Sequence, residues 1–238
     1  MSKPIVYDLF CGLGGWSEAF LAEGYECTGY DIEAHDYGAG GYPGKLILRD
    51  VRSIHGAELK DAAVIVASPP CQAYSYRAMP WKRAKALPPP DNTLFNECFR
   101  IQREASEAAG HYIPLIVENV RGAQKWVGRA RWNYGSFYLW GDVPALMPMR
   151  LKATKVSGFR FDGSGKSFQT ASVEGTKAVK DDGLSYGGSF GWDGSPLRRG
   201  SSKSSKRKAA SAMIAKIPFP LAQHIARTFK PIERVVNE

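Results

Sequence analysis

Ala62-Ala63-Val64-Ile65-Val66-Ala67-Ser68-Pro69-Pro70-Cys71-Gln72-Ala73 runs from six apolar residues through a Pro-Pro turn to a cysteine and a glutamine. Six apolar residues closed by turn residues read as a short, fully buried strand. A cysteine on the loop just past such a strand is placed to react rather than to pack. Leu115-Ile116-Val117-Glu118-Asn119-Val120 repeats the pattern, with an acidic residue closing a second apolar run. Working outward, Ile5 to Phe10, Glu26 to Asp31 and Ile113 to Val117 read as further strands, and Leu46 to Leu48 as a short apolar run closed by Arg49-Asp50. Gly15 to Ala22 reads as a helix. Leu94, Cys98, Ile101, Ala105 and Ala108 fall at helical spacing after the turn cluster Pro88 to Asn92. Strands separated by helices imply a parallel sheet covered on both faces. Ligands of such sheets bind beyond the carboxyl ends of the strands, where Asp31, Asp50, Cys71 and Glu118 all lie.

The 238 residues carry 44% hydrophobic and 12% aromatic side chains, enough for a sizeable core. No apolar run reaches the length of a membrane span, and the chain enters a strand at Ile5 with no leader-like segment before it. Cys11, Cys27, Cys71 and Cys98 lack metal-site spacing, so neither a zinc site nor a disulfide framework is expected. A reducing, cytoplasmic setting, in a bacterium or a phage-infected host cell, is the corresponding expectation. Charge divides the chain. Residues 1–150 hold 16 basic and 16 acidic residues, and residues 151–238 hold 16 and 7, so the whole +9 lies in the second part. Residues 157–211 are rich in Gly, Ser and Lys, and 198–208 alone hold six basic residues among glycine and serine. A neutral chemical module joined to a polyanion-docking one accounts for the split, with a solubilising basic tail as the bland alternative. We therefore expect a first domain over 1–150, a short recognition region over 151–211, and a C-terminal helix (about Pro220 to Phe229) within 212–238.

Asp8-Leu9-Phe10-Cys11-Gly12-Leu13-Gly14-Gly15 forms a glycine loop between the first strand and helix, where a ligand can approach the backbone closely. Alone it is a weak signal. With Asp31 ending the next strand, where it could accept ribose hydroxyls, and Asp50 the following run, where it could accept an adenine amino group, it describes an adenosine site. Ordinary strand-end capping is the alternative for either acid taken singly. A thiolate at Cys71 can add to an electron-poor carbon. Glu118, closing a buried strand, should have a raised pKa and could activate a ring nitrogen of the substrate.

In these three stretches the chain resembles the DNA (cytosine-5) methyltransferase family. Asp8 to Gly15 is similar to its first cofactor motif, Ser68-Pro69-Pro70-Cys71-Gln72 to its nucleophile loop and Glu118-Asn119-Val120 to its acid motif, in the same order and spacing. The resemblance spans about residues 4–145 and returns near Ile217 to Ala222. It implies a Rossmann-like α/β sheet dependent on S-adenosylmethionine, a small irregular basic recognition region, and a monomer acting on DNA with no metal. By that resemblance Phe10, Gly12, Gly14 and Gly15 line the cofactor, Asp31 and Ile32 hold its ribose end, and Asp50 and Val51 its adenine. Pro70 and Leu94 wall the sulfonium. Cys71 attacks cytosine C6 while Glu118 contacts N3 and the exocyclic amine, with Asn119 and Gln72 completing the catalytic set. Carbon 5 takes the methyl, a proton leaves, and Cys71 is eliminated. The base must be flipped out of the duplex to be reached. Ser75, Arg129, Arg131, Arg198, Arg199, Lys206, Arg207 and Lys208 are the implied substrate contacts.

The chain departs from the family pattern in the arginine-rich strand. Trp132 to Gly141 stands in its place, with Tyr134 and Ser136 where arginines are expected and Arg129 and Arg131 just before. Ile214-Ala215 replaces the Gly-Asn of the last cofactor motif. Cytosine-5 methylation of RNA and a non-catalytic nucleic-acid-binding relative are the alternative readings. If the basic part contacts phosphates, nucleic-acid affinity falls steeply with salt because counterions are released. Deleting 198–208 then flattens the slope of log K against log salt in a fluorescence-anisotropy titration; an unchanged slope removes this segment from the interface.

Overall fold

The computed structural model describes residues 2–36, 40–79, 82–148, 212 and 215–231. The expected recognition region over 151–211, with Arg198, Arg199, Lys206, Arg207 and Lys208, lies outside the described residues, as does Ile214.

The strands are β1 (Ile5–Leu9), β2 (Glu26–Asp31), β3 (Lys45–Leu48), β4 (Ala62–Ala67), β5 (Leu115–Asn119), β6 (Trp132–Tyr134) and β7 (Phe137–Gly141). They form one sheet in the order β3-β2-β1-β4-β5-β7-β6. The first five are parallel, and β7 runs antiparallel to both β5 and β6. Helices α1 (Gly15–Ala22), α2 (Gln72–Arg77), α3 (Lys82–Lys85), α4 (Thr93–Ala109) and α5 (Gln124–Val127) follow in chain order, and α6 (Phe219–Thr228) comes near the end. This is the doubly covered α/β, Rossmann-like architecture expected from alternating strands and helices.

Alternation along the pleat divides the core. Ile65, Leu115 and Val117 face α4 together with Phe95, Cys98 and Ile101. Val64, Val66 and Ile116 face α1 and α6 with Trp16, Phe20, Leu221 and Ile225. Several boundaries differ from the sequence reading, and two of the differences have a plain backbone cause. β1 stops at Leu9 because Phe10 takes a left-handed φ of 58°. β5 starts at Leu115 because Pro114 has no N–H to offer the ladder, although its carbonyl accepts from Ile65 N at 2.9 Å.

Helix α6 docks on α1 through close backbone approach. A Cβ on Gly15 would lie 2.5 Å from the Ile217 nitrogen, so only glycine fits there. The Tyr25 hydroxyl donates to the Ala226 carbonyl at 2.9 Å, serving one of the last carbonyls of α6, which have no partner inside the helix. Glu23 accepts from both Gln223 and Arg227 at 2.8 Å. The exposed ion pair adds little; burial of Leu221, Ala222, Ile225 and Ala226 carries the docking. Tyr25→Phe removes a buried hydrogen bond and is expected to cost about 1 kcal/mol, read as a lower urea midpoint at unchanged slope. A midpoint equal to wild type would show that the hydroxyl contributes nothing to docking.

Candidate active site

Parallel pairing of β4 with β5 matches Val66 with Ile116 and Ala67 with Val117. One step further along both strands, Ser68 stands opposite Glu118, both on the α1 side of the sheet. The Asn119 side-chain amide donates to the Pro69 carbonyl at 2.9 Å, and its oxygen accepts from Val120 N at 2.8 Å. This ties the Pro-Pro turn to the end of β5 and so fixes where Cys71 emerges. Cys71 then caps the short helix α2, its carbonyl accepting from Ser75 N at 2.9 Å. The nucleophile and acid expected from sequence are thus brought together.

Their electrostatics differ. Glu118 is only 9% exposed, and burial pushes its carboxyl up to about 8, opposed by a hydrogen bond from Ser68. Burial also raises the Cys71 thiol above its ordinary value. The Ser75 hydroxyl hydrogen-bonds the sulfur and pulls the other way, while charge on Glu118 would push it higher still. Ser75, expected among the substrate contacts, thus also acts on the Cys71 thiol. Gln72 is exposed at the first position of α2, and Pro70 is exposed beside it.

The glycine loop crosses above β1 and β2. Gly12 N donates to Asp31 Oδ2 at 2.9 Å, and Ile32 N to Oδ1 at 2.8 Å. At Gly12 (φ +49°) a Cβ would meet nothing within 4 Å, so the loop is open on that side. Gly14 (φ +70°) opens α1, and a Cβ there would collide with the Pro43 ring. Ile32 is 74% exposed, unusual for an isoleucine at a strand end. Asp50 is less simple than its sequence position implied. Arg52 Nε donates to both of its oxygens, at 3.1 and 3.0 Å, and this pairing holds the carboxyl below its usual range. Val51 is buried in the core, which leaves its backbone as the part able to face a ligand. Leu94 is half-buried in the first turn of α4.

Arg129 and Arg131, in front of β6, are both exposed. Tyr134 pairs with Phe137 across a two-residue turn, Gly135-Ser136, with Gly135 at φ +64°. Tyr134 therefore ends β6 and Ser136 stands in the turn. The charge of Arg131 acts on Tyr112, which donates to Asp142 at the amino end of β5, the end away from Glu118. Arg129 is exposed next to Gly128, whose carbonyl accepts from Trp140 Nε1 at 3.0 Å.

Sequence reasoning passed over three residues. Trp16 Nε1 donates to Ser68 Oγ at 3.1 Å. Asp8 is 1% exposed and accepts from Ser17 Oγ at 2.8 Å, while its Oδ1 has no partner. The Tyr42 hydroxyl lies 2.6 Å from the same Ser17 oxygen, and burial raises the Asp8 carboxyl well above the usual range. Parity on the strands marks Ser68 as a neighbour of Glu118, but nothing local marks Trp16 or Tyr42. Among the described residues no cluster of His, Cys, Asp or Glu is arranged to hold a metal, and no helix is long and apolar enough to cross a membrane.

Residues 5–129 match the family model described as C-5 cytosine-specific DNA methylase. The Type II methyltransferase M.FnuDI of Fusobacterium nucleatum is 29% identical over 117 residues, covering 48% of this chain and 31% of that protein. The chain thus matches about a third of the length of this curated relative. Among solved structures, a DNA modification methyltransferase encoded within an E. coli prophage aligns with a TM-score of 0.36 at 22% identity, over 53% of this chain and 35% of the other. The S. pombe Dnmt2 methyltransferase aligns at 0.36 and 16%, over 53% and 37%. With the family model spanning more than half of its length, and the cysteine and acid motifs of that match meeting at the ends of β4 and β5, the chain belongs to the C-5 cytosine-specific DNA methylase family.

Proposed function

We propose that this protein methylates carbon 5 of cytosine in DNA through a transient bond from Cys71. The observation that carries the reading is the meeting of Cys71 with a buried Glu118, fixed by the Asn119–Pro69 hydrogen bond, where burial pushes the carboxyl up to about 8.

S-adenosylmethionine is the cofactor of the family, and the residues fit it. The open backbone at Gly12 gives room beside the Asp31 carboxylate, which retains lone pairs for a diol. The exposed Ile32 offers an apolar surface to a ring. Asp50 is ionised and accepting, and an adenine amino group would share it with Arg52. When bound, this cofactor supplies an electrophilic methyl group.

At neutral pH the resting pair is a thiol and a protonated carboxyl, so Glu118 can donate a hydrogen bond to N3 of the ring. That withdraws electron density from C6. Sulfur then bonds to C6 as the thiol proton passes to water, the C5–C6 double bond opens and C5 becomes nucleophilic. A protonated Glu118 places no negative charge beside the sulfur, and the Ser75 hydroxyl stabilises the thiolate as it forms. Once C5 is substituted, loss of its proton restores the double bond and expels the sulfur. Reaching C5 requires flipping the base from the stack at a cost of a few kcal/mol. The positive charge of residues 151–238 supports the phosphate contacts that offset it.

Labelled methyl donor with duplex DNA is expected to label the DNA, and Cys71→Ser to abolish the signal. DNA carrying 5-fluorocytosine traps wild type as a covalent adduct on Cys71. Label confined to tRNA, or binding with no label in any substrate, overturns the reading.

Glu118 also predicts a pH dependence of stability. Between the ordinary carboxyl value of 4.5 and about 8 the folded protein holds a proton that the unfolded chain has released. Stability from this group is therefore complete below 4.5, falls as pH rises through the window, and levels off above about 8. Glu118→Gln removes that loss. Its melting temperature should rise relative to wild type from pH 5 to pH 8, by an amount on the order of a few kcal/mol in stability. A gap that stays constant with pH would mean that the carboxyl is not held protonated.

A further inference from the structure

We propose that Ser68 is a positioning residue for the acid: it accepts the indole proton of Trp16 and turns its own single proton onto one oxygen of Glu118, so that a proton carried by Glu118 sits on the other oxygen.

The geometry leaves Ser68 little choice. Trp16 is 2% exposed, and its Nε1–H, which can only donate, reaches Ser68 Oγ at 3.1 Å. Ser68 N donates to the Leu9 carbonyl at 3.1 Å, which pins the residue at the end of β4. A hydroxyl that accepts from an indole has one proton left to give, and the side chain standing opposite on the same face of the sheet is the Glu118 carboxyl, whose proton affinity Ser68 lowers. That carboxyl has two oxygens. The one facing Ser68 serves as acceptor, so a proton held by the group resides on the oxygen turned away from the Trp16–Ser68 pair. A neutral carboxyl whose proton could sit on either oxygen would offer the substrate a donor only part of the time. With one oxygen committed, the donor orientation is set before substrate arrives, a form of preorganisation.

Among the described residues, Ser68 faces Glu118 from the end of β4 and itself accepts from Trp16, and neither of the two titrates. From β7 the register partner is Leu139. From the loop after β4 it is the Cys71 thiol, the titratable group whose ionisation Glu118 influences. The inference rests on Glu118 acting as the acid in cytosine chemistry, but its first readout does not need activity. In a side-chain 13C NMR titration with labelled glutamate, the Glu118 midpoint is expected to move to higher pH in Ser68→Ala. A hydroxyl donating to the carboxylate favours the ionised form, so its loss favours the proton. Ser68→Thr keeps the hydroxyl and is expected to restore the midpoint. Trp16→Phe keeps the ring but loses the N–H, and is expected to shift the midpoint in the same direction by less. In turnover, Ser68→Ala should lower kcat about tenfold and move the alkaline limb of the pH profile upward, with KM for the methyl donor unchanged.

An unmoved midpoint in a folded Ser68→Ala overturns the inference. Should that variant not fold, an unmoved midpoint in Trp16→Phe does so. Failure of the functional reading is distinct: wild type would give no fluorocytosine adduct, or Glu118→Gln would be fully active, whatever Ser68→Ala does in the titration.

Discussion

Parallel pairing of β4 with β5 makes neighbours of Ser68 and Glu118, fifty positions apart in the chain. Once Val66 and Ile116 are in register, alternation settles the rest. Hydrophobic side chains fill both faces of the two strands, and the first polar residues past the core, Ser68 and Glu118, stand side by side. A one-residue slip would turn Glu118 to the α4 face and leave its carboxyl among apolar side chains with no donor. The hydrogen bond from Asn119 to the Pro69 carbonyl guards against this, because it joins the two strand ends at the point where the ladder runs out.

The same pair shows why the site has to be built on a well-packed sheet. Burying a carboxyl is costly unless it keeps its proton, and here both results come from the same walls. The apolar surroundings that protonate Glu118 are the inner ends of β4, β5 and β7, closed over by Trp16 from α1. Chemistry and core share side chains, so the geometry of the acid is held as firmly as the fold itself. Asp8 repeats the theme one strand away. It is buried, with its carboxyl raised well above the usual range by that burial, and one oxygen accepts from Ser17, whose hydroxyl in turn meets Tyr42 on the loop beneath the glycine turn.

Much of this was legible in the sequence. Helix α1 and strands β2 and β4 fall where apolar runs and glycines place them, residue for residue, and α4 and α6 fall within one or two residues. The acidic ends of β2 and β5 and the cysteine beyond β4 were readable because strand ends are marked by a change from apolar to polar residues. The misses have physical causes. β6 and β7 were obscured because Trp132 to Gly141 was compared with an arginine-bearing strand, whereas Gly135 at positive φ folds it into a tight hairpin. Arg52 could not be foreseen as the partner of Asp50, since a short-range ion pair depends on the 3-10 turn between them. Trp16 meets Ser68 across 52 positions, and Tyr42 meets Ser17 across 25. Contacts at that range follow from the assembled layers, which no local pattern encodes.

The docking of α6 has a consequence for how such a protein changes over time. Met147, before the undescribed stretch, and Ile217, after it, are buried in the same cluster beneath α1 and α6. The basic region is therefore inserted between two points nailed to one core, rather than appended to it. The closure cost of a loop grows slowly, by only about 0.6 kcal/mol for each doubling of its length. The layers beneath can therefore accept inserts of different length at this position. A lineage could thus exchange the segment between Met147 and Ile217 while inheriting the sheet intact.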